Sequence, residues 1–161
     1  MEHLWAPWRM QYIADPPRPG CLFCRVIEHA DDPDAELVVS RPDGAVVLLN
    51  KFPYNPGHAL VAPNAHQPGL EELDDRDAVA LMRALTLTIG TLRKALTPDG
   101  FNIGVNIGRA AGAGIPDHVH FHVVPRWNGD TNFMPVIDDV KVVPEALHQT
   151  AEKLRKAFAA S

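Results

Sequence analysis

His118-Val119-His120-Phe121-His122-Val123-Val124-Pro125 alternates imidazoles with apolar side chains, and its reading decides the fold. Strand side chains point to opposite faces in turn, so a strand here sends three imidazoles to one side and Val119, Phe121 and Val123 into a core. One strand histidine is ordinarily a satisfied polar contact, whereas three in alternation make a built surface. Alternate Cα atoms lie about 6.6 Å apart, which separates the outer pair by about 13 Å, while zinc takes its nitrogens at about 2.0 Å. Three histidines of one strand therefore do not close around one ion. A neutral imidazole acting as nucleophile, flanked by imidazoles that bind or protonate an anionic substrate, suits a linear row better.

Just upstream, residues 102–114 are rich in glycine. Backbone amides near Gly112 and Gly114 can approach an anion closely, and Asn106 and Arg109 add side-chain donors, so the loop reads as a phosphate cradle set against the histidine strand. Further out, residues 37–40, 45–50, 58–62 and 101–107 read as short strands bounded by turn chemistry such as Tyr54-Asn55-Pro56-Gly57. Between them Val79, Met82, Leu85, Ile89, Leu92 and Leu96 recur at steps of three and four after an Asp74 or Asp75 cap, which predicts one long helix ended by Pro98 and Gly100. A last helix, opened by Pro144, places Leu147, Ala151, Leu154 and Phe158 on one face. Strands, one long helix across them, then more strands define an α+β fold with an antiparallel sheet.

The chain has 161 residues, 46% of them apolar, with a formal net charge of −5. That length and composition support one core, and the charge gives no general attraction to nucleic acid or to anionic lipid. No apolar run approaches the ~20 residues of a membrane helix, and the reading is a cytoplasmic protein with neither nucleic-acid nor membrane partners. Residues 1–20 read as an N-terminal arm bearing Trp5, Trp8, Arg9 and Tyr12, and residues 21–161 as a single domain. The two cysteines, Cys21 and Cys24, have a spacing that suits metal or redox chemistry better than an extracellular staple.

His118-Val-His120-Phe-His122-Val-Val resembles the motif of the histidine triad (HIT) family of nucleotide hydrolases and transferases. The likeness continues through Asn50, Pro56-Gly57-His58, the segment 63–66 and Pro125-Arg126-Trp127. The arm and Trp127 resemble more narrowly the bacterial diadenosine polyphosphate phosphorylase branch. The resemblance implies a HIT-like fold: a five-stranded antiparallel sheet with one long helix across it and a C-terminal helix, paired as a homodimer with a continuous ten-stranded sheet. It implies that His120 attacks the α-phosphorus to form a nucleotidyl intermediate and that His122 contacts the phosphate or the leaving oxygen. Asn106 would bind phosphate, Asn50 would contact the ribose, and His58 would orient the triad. Trp127 is a stacking position for a base or a packing residue.

The resemblance also implies that Cys21 and Cys24, with His66 and His118, form the structural zinc site of some members. No catalytic metal is required by the motif, although magnesium can arrive with the substrate. Members often carry Gln or Ser shortly before the first triad histidine; this chain has Ala113-Gly114-Ile115-Pro116. The roomier loop suits an incoming orthophosphate, so the expected activity is phosphorolysis of diadenosine polyphosphates. Hydrolysis of the same substrates or of nucleoside phosphoramidates by water, zinc hydrolysis by the triad, and a non-catalytic nucleotide sensor are the alternatives.

Overall fold

A computed structural model describes residues 18–130 and 145–161. The aromatic arm and Pro144 lie outside the described residues. Five strands, β1 (Val38–Ser40), β2 (Ala45–Leu49), β3 (Ala59–Pro63), β4 (Gly100–Val105) and β5 (Phe121–Arg126), form one antiparallel sheet in the order β1-β2-β3-β5-β4. Every residue of β2 and β3 is buried, as expected of central strands covered on both faces. Their Val, Leu and Ala side chains form the core together with Val123, Leu92 and Leu154.

Among the described residues three α-helices accompany the sheet: α1 (Leu22–Glu28), α2 (Asp75–Leu96) and α3 (Leu147–Ala159). The Asp74 carboxylate caps α2 by accepting from the Asp77 amide at 2.8 Å, with Asp75 and Asp77 in the first turn and Arg93 and Lys94 in the last, matching the helix dipole at both ends. The helix stops where Thr97 takes a left-handed conformation before Pro98. On α3, Ala151 and Leu154 are buried as the pattern predicts, with Leu147 and Phe158 packed against the core.

The face of α2 differs from the expected one. Leu81, Ala84, Leu85, Thr88, Thr91 and Leu92 are buried, whereas Val79 and Met82 are 48% and 53% exposed. The sequence allows two overlapping apolar stripes, and the threonines decide between them. Thr88 buries its hydroxyl by donating to the Ala84 carbonyl at 2.7 Å, so the core can accept a face that looks partly polar. The displaced stripe leaves an apolar groove on the outer side of α2, formed by Ala78, Val79, Met82 and Leu87.

The histidine strand also departs from expectation. Paired strand begins at Phe121, so His118, Val119 and His120 precede the ladder. Val119 and Val123 are buried as the alternation demands, but His118 and His120 are buried as well, because the Phe23 ring of α1 lies 5.0 and 4.9 Å from theirs. The row is a covered feature, open only at its His122 end.

Candidate active site

The turn between β2 and β3 sets the back of the site. Gly57, at φ +75°, occupies a place where a Cβ would collide with the Leu96 Cδ1 of α2, so only glycine brings this turn so close to the helix. Asn55, 2% exposed, donates from Nδ2 to the Pro125 carbonyl at 2.8 Å and to Asp130 Oδ2 at 2.7 Å, tying the turn to the end of β5. The next residue after the glycine is His58, fully buried.

From His58 a chain of hydrogen bonds fixes tautomers. The Tyr54 backbone N–H donates to His58 Nδ1 at 3.1 Å, so that nitrogen is the acceptor and Nε2 carries the proton. His58 Nε2 then donates to His122 Nδ1 at 3.0 Å, which leaves the His122 proton on Nε2. Asn50 braces the same turn: its Oδ1 accepts from the Phe52 amide at 2.9 Å, and its Nδ2 lies 3.4 Å from His58 Nδ1.

His120 has the complementary arrangement. Its Nδ1 donates to the His118 carbonyl at 2.9 Å, so its Nε2 holds a free lone pair. The rings of His120 and His122 are 5.0 Å apart, which sets one basic nitrogen beside one N–H donor. Burial lowers the basicity of all three triad imidazoles. At His118 the effect is reinforced by His66 and His120, and at His122 by His120. A buried imidazole is held neutral, the form that can act as a nucleophile.

His118 faces elsewhere. Its Nε2 donates to the Pro63 carbonyl at 2.9 Å, which turns the Nδ1 lone pair toward Cys21 Sγ at 3.3 Å and Cys24 Sγ at 3.7 Å. Cys24 Sγ is also 3.2 Å from His66 Nδ1, and the four donor atoms all lie within 4.8 Å of one another. Tetrahedral zinc with bonds of about 2.3 Å to sulfur and about 2.0 Å to nitrogen separates such atoms by about 3.5 Å, so the set can hold a metal ion with little movement. The carbonyl behind His118 is the outer partner a ligating histidine needs. Burial and the neighbouring Cys21 push the Cys24 thiol up to about 11. Arg25 steadies the approach to the cysteines by donating to the Pro19 and Gly20 carbonyls at 3.3 and 3.1 Å while its other donors hold Asp32 and Asp34.

A cleft of about 580 Å³ opens beside the row. His122 and Asn106 line it as expected, together with Tyr54, Asn102, Val124 and Arg126, to which the sequence reading gave no role in the site. Asn50, Arg109, Gly112, Gly114 and Trp127 do not line it. Arg109 opens a short 3-10 turn that closes at Gly112 in the left-handed region, a conformation glycine takes without strain. Arg109, Gly112 and Gly114 are exposed, and Trp127 is half-buried.

A family model described as the HIT domain matches residues 34–129. The chain is 36% identical over 168 residues to the AP-4-A phosphorylase of Mycobacterium tuberculosis, an alignment that covers 99% of this chain and 85% of that protein. It is 29% identical over 138 residues to an adenosine 5'-monophosphoramidase of Schizosaccharomyces pombe, covering 84% and 96% of the two. A crystal structure of a Zn-bound histidine triad family protein from Mycobacterium smegmatis matches with a TM-score of 0.68 at 29% identity, over 88% of this chain and 94% of that one. The family match spans all five strands and α2 and takes in His58, His118, His120 and His122, so the chain belongs to the HIT domain family.

Proposed function

We propose that this chain cleaves diadenosine polyphosphates by nucleotidyl transfer through His120, with orthophosphate as the preferred acceptor. The observation that carries the reading is the opposed state of two adjacent imidazoles, a free lone pair on His120 Nε2 and a proton on His122 Nε2. His120 Nε2 attacks the α-phosphorus, forming a P–N bond, as the bond from phosphorus to the bridging oxygen breaks. The Nε2–H of His122 stabilises the charge on the departing oxygen. Asn106, on the wall of the cleft, donates to phosphate oxygens. An orthophosphate oxygen then attacks the same phosphorus and breaks the P–N bond, so that diadenosine tetraphosphate and orthophosphate give ATP and ADP. The near-full-length likeness to a protein named AP-4-A phosphorylase supports both the substrate class and the acceptor.

Arg109 and the amides around Gly112 and Gly114 are assigned to the incoming phosphate, Asn50 to the support of His58 and to the ribose, and Trp127 to the base. The cluster of Cys21, Cys24, His66 and His118 is assigned to a structural zinc, which when bound cross-links α1 to the chain just before β5. It supplies no reacting group, and magnesium enters only with the substrate phosphates. The partner is a second copy of the chain. The β4 edge carries an exposed Ile103, and the outer groove of α2 exposes Val79, Met82 and Leu87, apolar surface of the kind that a subunit interface covers. Among the described residues no helix is long and apolar enough to cross a membrane, consistent with action on small nucleotides in the cytoplasm.

Product analysis tests the reaction. With diadenosine tetraphosphate, the rate should rise with orthophosphate and yield ATP and ADP. A rate indifferent to phosphate, with AMP as a product, identifies a hydrolase. His120→Ala should lower turnover by about three orders of magnitude or more while nucleotide binding persists, and near-normal turnover in that variant overturns the mechanism.

Elemental analysis of protein purified without chelator should find about one zinc per chain. Stripping the metal, or Cys24→Ala, should lower the melting temperature, because the ion ties elements that are distant in sequence. Protein of full stability with no bound metal refutes the site. In sedimentation the mass should be that of a dimer, and Met82→Glu should shift it toward the monomer; a wild-type chain that sediments as a monomer rules the pairing out.

The acid limb of kcat/KM follows from His120 and His122, both of which must be neutral for the proposed attack. Burial first, then His120, sets the folded pKa of His122 below the ordinary value of about 6.5. Just below pH 6.5 the unfolded chain therefore binds more protons at this residue than the folded one, and stability falls as pH drops through that window. Activity should hold to a pH below 6.5 and decline as a proton takes the Nε2 lone pair of His120, whose basicity burial likewise lowers, or as His122 takes a second proton at Nδ1, where the His58 N–H already points. A limb at or above 6.5 contradicts the assignment.

A further inference from the structure

The cleft extends well past the triad. His122, Val124 and Arg126 alternate along β5 and share one face, and across the ladder they pair with Gly104, Asn102 and Gly100. Four strand residues carry the groove about 13 Å from His122 to Arg126. Tyr54 stands at its side. One face of that ring stacks on His58 at 4.9 Å, yet the residue is 62% exposed, so the other face is open.

At the far end Arg126 is held rigidly. Its Nε and Nη2 donate to the two oxygens of Asp130 at 2.6 and 2.8 Å, and its Nη1 donates to Asn102 Oδ1 at 2.6 Å. Asp130 in turn accepts from the buried Asn55. Three of the five guanidinium N–H donors are thereby used, and two remain. Among the described residues the Asp130 carboxylate offsets the charge of the arginine, so the pair presents a polar but nearly neutral surface at this end of the groove. That suits an uncharged, planar, hydrogen-bonding group better than a phosphate.

We propose that the groove from His122 to Arg126 is the subsite for the leaving nucleotide. Its phosphates lie at the His122 and Asn106 end, its base stacks on the open face of Tyr54, and Arg126 with Asn102 hydrogen-bonds the nucleoside. The volume of about 580 Å³ is in the range of pockets that take ligands of this size. Aromatic stacking supplies affinity with little base preference, and the clamped guanidinium supplies orientation. The subsite rests on the proposed cleavage reaction, and it makes the chain selective for substrates whose leaving group carries a nucleoside.

The test compares kcat/KM for diadenosine tetraphosphate with that for adenosine 5'-phosphoramidate, whose leaving group has no nucleoside. The ratio should fall by about tenfold or more in Tyr54→Ala and in Arg126→Gln, while Tyr54→Phe keeps the wild-type ratio. A ratio unchanged in both of the first two variants overturns the proposal, even where both rates fall, since damage passed through His58 to His122 slows the two substrates alike. Calorimetric binding of ATP and of tripolyphosphate gives a reading free of turnover. Tyr54→Ala should weaken ATP by about tenfold and leave tripolyphosphate unchanged. Equal ATP affinity in wild type and Tyr54→Ala overturns the subsite whatever the turnover shows. If the wild-type chain cleaves neither substrate, the cleavage reading fails, and the binding comparison still decides the groove. Should Arg126→Gln melt early, the exposed Tyr54 variants carry the result.

Discussion

Everything in the site hangs on the way His118 is held. One residue makes three commitments: its Nε2 donates to the Pro63 carbonyl, its Nδ1 faces the two thiols, and its backbone carbonyl accepts the Nδ1 proton of His120. Each of these fixes the next. The bond to Pro63 selects the tautomer that can ligate, and the position this imposes on the main chain selects the tautomer of His120. The Phe23 ring, placed by α1 between Cys21 and Cys24, covers the rings of both histidines and excludes water from them. Fixing α1 therefore also fixes the environment in which His120 keeps its lone pair.

A second chain of constraints runs from the other side and meets the first at His122. The Gly57 turn, closed against α2, aims the Tyr54 amide at His58, and His58 aims its proton at His122. Among the described residues, the partners that set this orientation are uncharged. Backbone donors and acceptors set neutral imidazoles in opposite senses, which in a buried setting avoids the large cost of placing unpaired charge out of water. The division of labour between the row's members thus comes from what each ring's second nitrogen meets.

The fold was legible because its strands are short, apolar and separated by strong turn chemistry, and because α2 is long and capped. Its buried face was misread since Val79 and Met82 compete with Leu81, Ala84 and Thr88 for the same role, and only the hydroxyl bond to a helix carbonyl shows that threonine can enter the core. Helix α1, seven residues with Cys21 at its cap and no side-chain capping bond, left too short a pattern to detect. Within the site, the triad and the Cys-Cys-His-His cluster could be read from spacing and resemblance. Tyr54, Asn55, Asn102 and Arg126 could not. Their arrangement depends on contacts between a turn and a strand end some seventy residues away, such as Asn55 to Pro125 and Asp130, and on cross-strand register. The Asn55-Pro56-Gly57 turn and the arginine that follows Pro125 were the only local hints.

The outer strand β1 offers a different lesson. Arg155 of α3 donates from Nε to the Val38 carbonyl at 3.0 Å and from Nη2 to the carbonyl of Glu36, filling acceptors along an edge where another strand could otherwise dock. Among the described residues the β1 edge is thereby occupied by a guanidinium, while β4 forms the other edge of the sheet. Two such sheets joined edge to edge terminate each other, whereas a sheet open on both sides could add copies without limit. A single cation on α3 thus occupies carbonyls that a further strand at the β1 edge would use.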